Sequence, residues 1–277
     1  MVRTLLIRGM LTGLVAGLLV FGFSKVFGEP PVERAIAFET AMDEAKAKSH
    51  AAAHAAGDHS AAAHAPVGHA EPEPELVSRE VQASYGLFTG VIVYNAAFGG
   101  LFALVFAFAH GRVGKLSPRA VSALLAAGGF IAVYVVPSLK YPANPPSVGE
   151  SETIGYRTAL YFLMMLISIA AMAGAVVLRQ RLVSRQGAWP GGAWSATLTA
   201  AACYIVAVGA AQIVLPGINE VPDGFPAVVL WQFRIASLGM QFVMWTTIGL
   251  LFGWLTERAM RIERGYLVGG LSRTTSP

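Results

Sequence analysis

The sequence predicts an all-α integral membrane protein, a bundle of about six transmembrane helices. Three observations support this prediction: 55% of the 277 residues are hydrophobic, only 13% are charged, and the mean hydropathy is +0.57. Soluble domains typically carry about 25% charged residues. Only a helix or a closed barrel satisfies its own backbone inside a bilayer, and no apolar run here alternates strictly as a barrel strand would.

Six apolar segments are long enough to span, because about 20 helical residues cross a hydrocarbon core of roughly 30 Å. Their approximate bounds are Leu5 to Phe27, Ser84 to Ala109, Arg119 to Leu139, Ile154 to Leu178, Trp194 to Leu215 and Val228 to Leu255. The first segment begins like a secretory signal peptide, but it is long for one, and Gly9, Gly13 and Gly17 form a stripe suited to close helix packing. We therefore expect a retained helix over residues 1–27, an outer loop over 28–82, five further helices within 83–255 and a basic tail over 256–277.

The charges divide between the two sides that alternating helices would create. Fourteen of the 16 acidic residues fall on one side, and twelve of the 20 basic residues fall on the other: Arg3, Arg8, Arg112, Lys115, Arg119, Arg179, Arg181, Arg185, Arg258, Arg261, Arg264 and Arg273. Cytoplasmic loops collect Lys and Arg, so both termini are expected in the cytoplasm. The high pI then reflects topology, and no nucleic-acid partner is needed to explain it.

The predicted outer loop changes composition abruptly. From Pro30 to Lys48 the apolar spacing indicates a short amphipathic helix, whereas Ser49 to Glu75 is a low-complexity tract too poor in apolar bulk to fold alone. Five of the six histidines lie in this tract: His50, His54, His59, His64 and His69. Neutral imidazole binds divalent Co, Ni, Cu and Zn. The tract is therefore predicted to gather metal ions; the alternative is a disordered linker that merely tolerates histidines.

Two other outer loops resemble each other, and each leads into a helix that carries an arginine. One follows Pro137 and precedes Arg157; the other follows Pro216 and precedes Arg234. Together with residues 28–82 they suggest three parallel helical hairpins around an outward-facing vestibule, since internal repeats are common in transporters. The predicted vestibule or permeation-path residues are Glu150, Glu152, Arg157, Glu220, Asp223, Arg234, Asn144, Asn219 and Asn95.

An arginine inside a spanning helix is costly, so Arg157 and Arg234 are expected to find partners. The acidic residues of the same loops are the expected partners. Three roles for these arginines remain open at this stage: a structural clamp between loop and helix, a direct part in the permeation path, or a side chain that snorkels to the outer surface.

Several motifs resemble those of a known family. They are Glu29-Pro30-Pro31 with Ala35-Ile36-Ala37-Phe38-Glu39, the histidine tract, Tyr141-Pro142-Ala143-Asn144-Pro145-Pro146, Arg157-Thr158-Ala159-Leu160-Tyr161, Leu215-Pro216-Gly217-Ile218-Asn219-Glu220-Val221-Pro222, Phe225-Pro226-Ala227 and Phe233-Arg234. On these motifs the chain resembles the CbtA family, the probable cobalt transporter subunit, over nearly its whole length. The resemblance implies a multi-pass protein of the bacterial plasma membrane in a cobalt uptake system associated with cobalamin synthesis. It also implies a small one-helix partner, CbtB, that carries histidines.

The residues and the resemblance together predict a membrane component of divalent metal uptake, with Co(II) as the expected cargo. No stably bound cofactor is expected, and the oxygen and imidazole ligands that suit Co(II) or Ni(II) also accept Zn(II). A non-transporting scaffold that delivers metal to a partner protein is the alternative. An enzyme is not expected, because the loop histidines are not fixed on helices. The sequence also lacks a phosphate-binding loop of the glycine-rich Lys-Ser/Thr kind.

Overall fold

The computed structural model describes residues 2–55, 77–114, 116–184 and 192–274. Within these ranges all regular structure is helical, and six helices are long and apolar enough to cross a membrane. We call them spans 1 to 6: Val2–Ala52, Arg79–Ala109, Pro118–Lys140, Ser151–Ser184, Gly192–Val214 and Ala227–Ile262. Each predicted apolar segment falls on one of these spans. The prediction of an all-α membrane bundle is confirmed.

Span 1 extends well beyond its apolar part. It is α-helical over Val2–Phe23, π-helical over Ser24–Gly28 and α-helical again over Glu29–Ala55. We call the last of these segments, Glu29–Ala55, the span 1 extension. The predicted amphipathic segment is therefore continuous with span 1 and is not a separate helix. The boundary predicted at Ser49 is wrong, because the helix continues to Ala55. This stretch is rich in alanine, the residue with the highest helix propensity.

Spans 2 and 3 also contain π-helical stretches. The one in span 2 is Gln82–Gly86 and precedes the α-helix Leu87–Ala109. The one in span 3 is Phe130–Val135, and Pro137 follows it within one turn. Proline lacks an N–H, and its ring clashes with the carbonyl group four residues earlier. A local π-helical stretch is one way for a helix to absorb that disruption.

The other helical segments are regular. They are Arg79–Val81 at the start of span 2, Pro118–Gly129 and Val136–Lys140 in span 3, a 3-10 turn at Ser151–Thr153 followed by Ile154–Ser184 in span 4, Gly192–Val214 in span 5, and Ala227–Thr274, which begins as span 6.

Spans 1 and 2 pack antiparallel with their backbones almost touching. A Cβ atom added at Gly9 would collide with the carbonyl oxygen of Gly99, and one added at Gly13 would collide with the carbonyl oxygen of Asn95. Small residues allow such an approach between membrane helices. The predicted glycine stripe is thus a helix-packing surface, as expected from its spacing.

The spans divide into two groups by packing. Spans 1, 2, 3 and 6 share one core, which includes Phe106, Trp245, Ile248 and Phe252. Spans 4 and 5 pack on each other and reach span 3 through a second core that contains Met164. Spans 5 and 6 therefore do not pack on each other, as the third predicted hairpin would require. Span 5 packs on span 4, whereas span 6 packs on spans 1 and 3.

The two ends of the bundle have opposite surface charge. Most of the described acidic residues lie at one end of the bundle, which we call the acidic end. It is formed by the ends of spans 1, 3 and 5 and the starts of spans 2, 4 and 6. At the other end, the basic end, Gln180 Nε2 donates to the Arg112 carbonyl oxygen at 3.0 Å, and Arg119 lies 3.4 Å from Glu257. The predicted grouping of arginines at one end is therefore present in the fold.

Candidate functional site

Two proline-rich connections meet at the acidic end. Loop A, residues 141–150, joins spans 3 and 4, and loop B, residues 215–226, joins spans 5 and 6. The buried Tyr141 begins loop A, and its hydroxyl donates to the Pro216 carbonyl oxygen in loop B at 2.8 Å. One residue earlier, Lys140 Nζ donates to the Gln212 carbonyl oxygen at 2.6 Å. These contacts hold the two loops side by side.

Arg157, one turn into the α-helix of span 4, joins the two loops. Its Nε lies 3.2 Å from Glu220 Oε2 in loop B, and its Nη2 donates to the Glu150 carbonyl oxygen in loop A at 3.0 Å. The Glu150 N–H also donates to Glu220 Oε2 at 3.0 Å. Arg157 therefore finds a carboxylate among the acids of the two loops, as predicted, although that carboxylate belongs to loop B and not to the loop that leads into span 4. Loop B folds back over loop A, so the nearest carboxylate belongs to the other loop.

A glycine makes room for this arginine. Gly149 has φ +110°, in the region that favours glycine, and a Cβ atom placed there would collide with the Arg157 guanidinium. Its backbone conformation and its missing side chain are both required at this position. Gly149 was not among the predicted site residues, because one glycine in a loop does not reveal in sequence what lies against it.

Arg234, about two turns into span 6, makes the reciprocal contact. Its Nη2 donates to Asn144 Oδ1 at 3.0 Å, and its Nε donates to the Ala143 carbonyl oxygen at 3.4 Å. Both acceptors belong to loop A, so each arginine reaches the loop of the other hairpin. Within the described ranges no carboxylate lies within 4 Å of Arg234. The prediction of an acidic partner for Arg234 is therefore wrong, because its guanidinium donates to an amide oxygen and to a carbonyl oxygen.

The carboxylate of Glu220 is stabilised in its charged form. The Thr153 hydroxyl, the Glu150 N–H and the Arg157 guanidinium together hold the pKa of Glu220 below its usual range. Hydrogen bonds and positive charge favour the ionised form of a carboxyl group. Glu220 is consequently a permanent negative charge at neutral pH, and it is already engaged by Arg157.

The two loops enclose a cleft of about 540 Å³. Five of the nine predicted vestibule residues line it, namely Asn144, Arg157, Asn219, Glu220 and Arg234. The other lining residues are Tyr141, Pro142, Pro145, Pro146, Val148, Ile154, Thr158, Tyr161, Ile218 and Val221. We call this space the loop cleft. The resemblance between loops A and B thus identified most of the polar residues that surround it.

Four predicted vestibule residues lie elsewhere. The side chains of Glu150, Glu152 and Asp223 are exposed and do not line the loop cleft. Asn95 is buried between spans 1 and 2, where its Nδ2 donates to the Val91 carbonyl oxygen at 2.8 Å. Asn95 was predicted to line a permeation path because it is polar. It lies instead in the contact between spans 1 and 2, opposite Gly13.

The span 1 extension also packs against the loops. Ser147 of loop A adopts φ +70° and donates to the Ala35 carbonyl oxygen at 3.0 Å or to Glu39 Oε2 at 2.9 Å. A positive φ is uncommon for serine and marks a constrained position. Arg34 Nη1 donates to Gln232 Oε1 of span 6 at 2.5 Å. The extension is thereby fixed against both loop A and span 6.

The first hairpin has its own ion pair. Arg79 Nη2 lies 2.7 Å from Glu29 Oε2, with the Glu29 side chain only 12% exposed. Glu29, Arg34 and Ser147 were not predicted as site residues. Their partners are distant in sequence, and no local pattern marks them.

The predicted metal-gathering histidines lie mostly outside the described residues. His50 and His54 are in the span 1 extension. His59, His64 and His69 lie outside the described ranges. In the described part of the chain, no three His, Cys, Asp or Glu side chains are grouped so as to hold a metal ion.

The basic end contains a smaller charged cluster. The buried Glu257 of span 6 lies 3.4 Å from Arg119 Nε, and its other oxygen accepts from Arg261 one turn later. The sequence placed Glu257 beyond the sixth apolar segment, although it lies within span 6. This cluster ties the ends of spans 3 and 6 together.

Comparison with known proteins bears on the whole chain. The model of one family, described as probable cobalt transporter subunit (CbtA), matches residues 2–257. No curated protein and no solved structure gives a significant match. The family match covers spans 1 to 5, most of span 6 and both proline-rich loops, and it agrees with the resemblance seen in the sequence motifs. The chain therefore belongs to the CbtA family of probable cobalt transporter subunits.

Proposed function

We propose that this chain is the membrane component of a divalent metal uptake system with Co(II) as cargo, and that its outer histidines gather the metal. The observation that carries the proposal is the loop cleft, a partly enclosed space with charged and amide side chains in its lining, at the acidic end of a family member whose name denotes cobalt transport. The acidic end faces the outside in this proposal, because Arg and Lys concentrate at the other end. The membrane is a bacterial plasma membrane with both termini in the cytoplasm.

The placement of the histidines supports a gathering role. His50 and His54 lie on the span 1 extension, and the base of that helix is held against loop A through Ser147. One continuous helix therefore joins these two histidines to the contact with loop A, at roughly 20–30 Å along its axis. Ligands attached to the same chain have a higher effective concentration at a site than free ligands, even when each contact is weak. Weak imidazole ligands can capture a metal ion and also release it.

A CbtB-like one-helix partner belongs to this proposal, and the family's description as a transporter subunit is consistent with it. A non-transporting scaffold that delivers metal to another protein is the second candidate. One observation favours it: no group of three metal-ligating side chains occurs among the described residues, so nothing in the described spans marks a metal relay. The two functions make different demands on the histidine tract.

Uptake of radioactive cobalt tests the proposal. Cells would express the chain alone, with the small partner, and as a variant with all five tract histidines changed to Ala. Transport predicts cobalt accumulation that depends on the chain, with the variant several-fold slower at low cobalt and near wild type at high cobalt. The matched control changes Glu71, Glu73 and Glu75 to Gln, which leaves the imidazoles in place.

Two outcomes contradict transport. No accumulation by correctly inserted protein, with or without the partner, would overturn it. Complete loss of metal-dependent function in the histidine variant at every cobalt concentration would favour the delivery scaffold, because a scaffold has no other route for the metal.

A further inference from the structure

We propose that the loop cleft is a binding site for carboxylate anions, so that the metal reaches this chain as a carboxylate chelate and not as the bare hydrated cation. The inference rests on the proposed function for its cargo. The anion site itself rests on the charges, donors and dimensions of the loop cleft.

The charge of the lining favours an anion. Three charged side chains line the loop cleft, two of them cationic, Arg157 and Arg234, and one anionic, Glu220. Glu220 is already paired with Arg157. The remaining charge in the loop cleft is the positive charge of Arg234. A bare divalent cation would meet net repulsion there, whereas a carboxylate would meet attraction in a partly enclosed, weakly screened space.

Arg234 has donors left over. A guanidinium carries five N–H donors, and the structure uses one on Asn144 and one on the Ala143 carbonyl oxygen. The side chain is partly buried at the outer part of a membrane helix, where a cation without a counter-charge is costly. Carboxylates are the ligands that a guanidinium fork matches best, through two parallel hydrogen bonds. A transient anionic partner would supply the counter-charge that Arg234 lacks beside the open loop cleft.

Arg157 contributes a second donor. Its Nε is buried and lies 3.2 Å from Glu220 Oε2, but it makes no hydrogen bond in the described part of the molecule. A small shift of the guanidinium toward an incoming carboxylate would satisfy that N–H. The loop cleft therefore has one guanidinium group on each of two sides, from the start of span 4 and from span 6.

The size of the loop cleft fits a small chelate. A volume of about 540 Å³ lies within the usual range for small-molecule sites, roughly 300–1,000 Å³. Asn144, Asn219 and Thr158 add amide and hydroxyl groups to the lining, while proline side chains form apolar walls. A tricarboxylate such as citrate, alone or with Co(II) bound, is of suitable size and charge.

The first experiment measures binding to the full chain in lipid nanodiscs by calorimetry. The probes are citrate, Co(II) chloride, and Co(II) with citrate. Wild type should bind both citrate-containing probes at the loop cleft, and Arg234→Gln should weaken that binding at least tenfold. Arg234→Lys, which keeps the positive charge but not the bidentate fork, should retain part of it and would show that the fold survives at this position. The matched control is Arg34→Gln, which removes an arginine from the same end but not from the loop cleft.

Citrate binding that is equal in wild type and Arg234→Gln would overturn the inference, and so would no citrate binding at all. Cobalt uptake with and without citrate then separates the inference from the proposed function. Uptake that needs no carboxylate and is unchanged in Arg234→Gln would support the proposed transport and contradict a carboxylate chelate as the form in which the metal arrives. Citrate binding that depends on Arg234, without any cobalt uptake, would support the anion site and contradict the proposed transport.

Discussion

Two contacts in this molecule bring chain segments very close together by different physical means. Between spans 1 and 2 the contact is made by Gly9 and Gly13, which let the backbones of two helices touch. Between loops A and B it is made by Arg157 and Glu220, a charged pair at the acidic end. The first depends on shape and the second on charge. Solution conditions should therefore affect only the second, which is the contact at the candidate site.

Gly13→Ala should have the largest effect, because its Cβ atom would collide with the Asn95 carbonyl oxygen and the two helices would have to separate. Overpacking of this kind costs about 3 kcal/mol of unfolding free energy or more. Thermal unfolding of the purified protein measures the loss. Gly22→Ala is the matched control in the same span, because its Cβ atom meets nothing within 4 Å. Equal stability of the two variants would contradict a shape-determined contact.

Gly149→Ala should rank second. The new methyl group would displace the Arg157 guanidinium, and a φ of +110° is strained for alanine. The combined cost is about 1–3 kcal/mol. Gly224→Ala separates the two causes, since Gly224 has φ +80° but open space around it. If thermal unfolding shows the same loss for both variants, the backbone alone is responsible and the close fit of Arg157 is unimportant.

Glu220→Gln should have a smaller effect that depends on pH. Because the pKa of Glu220 is lowered in the folded protein, its stabilisation is fully present above the ordinary glutamate pKa, about 4.3, and is lost as pH falls through the lowered value. The difference in unfolding temperature between wild type and variant should therefore vanish in strong acid and shrink in high salt. Glu152→Gln, an exposed acid of the same end, is the control. A difference that is independent of pH would contradict an ionic contact.

Glu257→Gln at the basic end should have the smallest effect, about 1 kcal/mol or less. Both of its arginine partners are largely exposed, and exposed ion pairs contribute little. Glutamine also keeps one hydrogen-bond acceptor. Thermal unfolding measures the change, with Glu44→Gln on the span 1 extension as a control for a fully surface pair. A loss as large as that of Gly149→Ala would mean that the basic end is also held mainly by charge.

Sequence reasoning found most of the fold and part of the site. Hydropathy and the glycine stripe depend on local composition, so the spans and the contact of Gly13 could be predicted. Asn144, Arg157 and Arg234 were found because two similar loops drew attention to them. Ser147 and Gly149 were missed, since their roles depend on residues that are far away in the chain or on backbone angles that sequence does not express.

The sequence by itself determined the class of the protein, its spans and the division of charge between its two ends. The physical reason is that the bilayer imposes length and polarity on each helix separately. Only the tertiary structure decided which charges meet. Each loop connects neighbouring helices, yet Arg157 finds Glu220 and Arg234 finds Asn144 across the loops. Loops A and B fold over each other, and the nearest partner in space is then not the nearest in sequence.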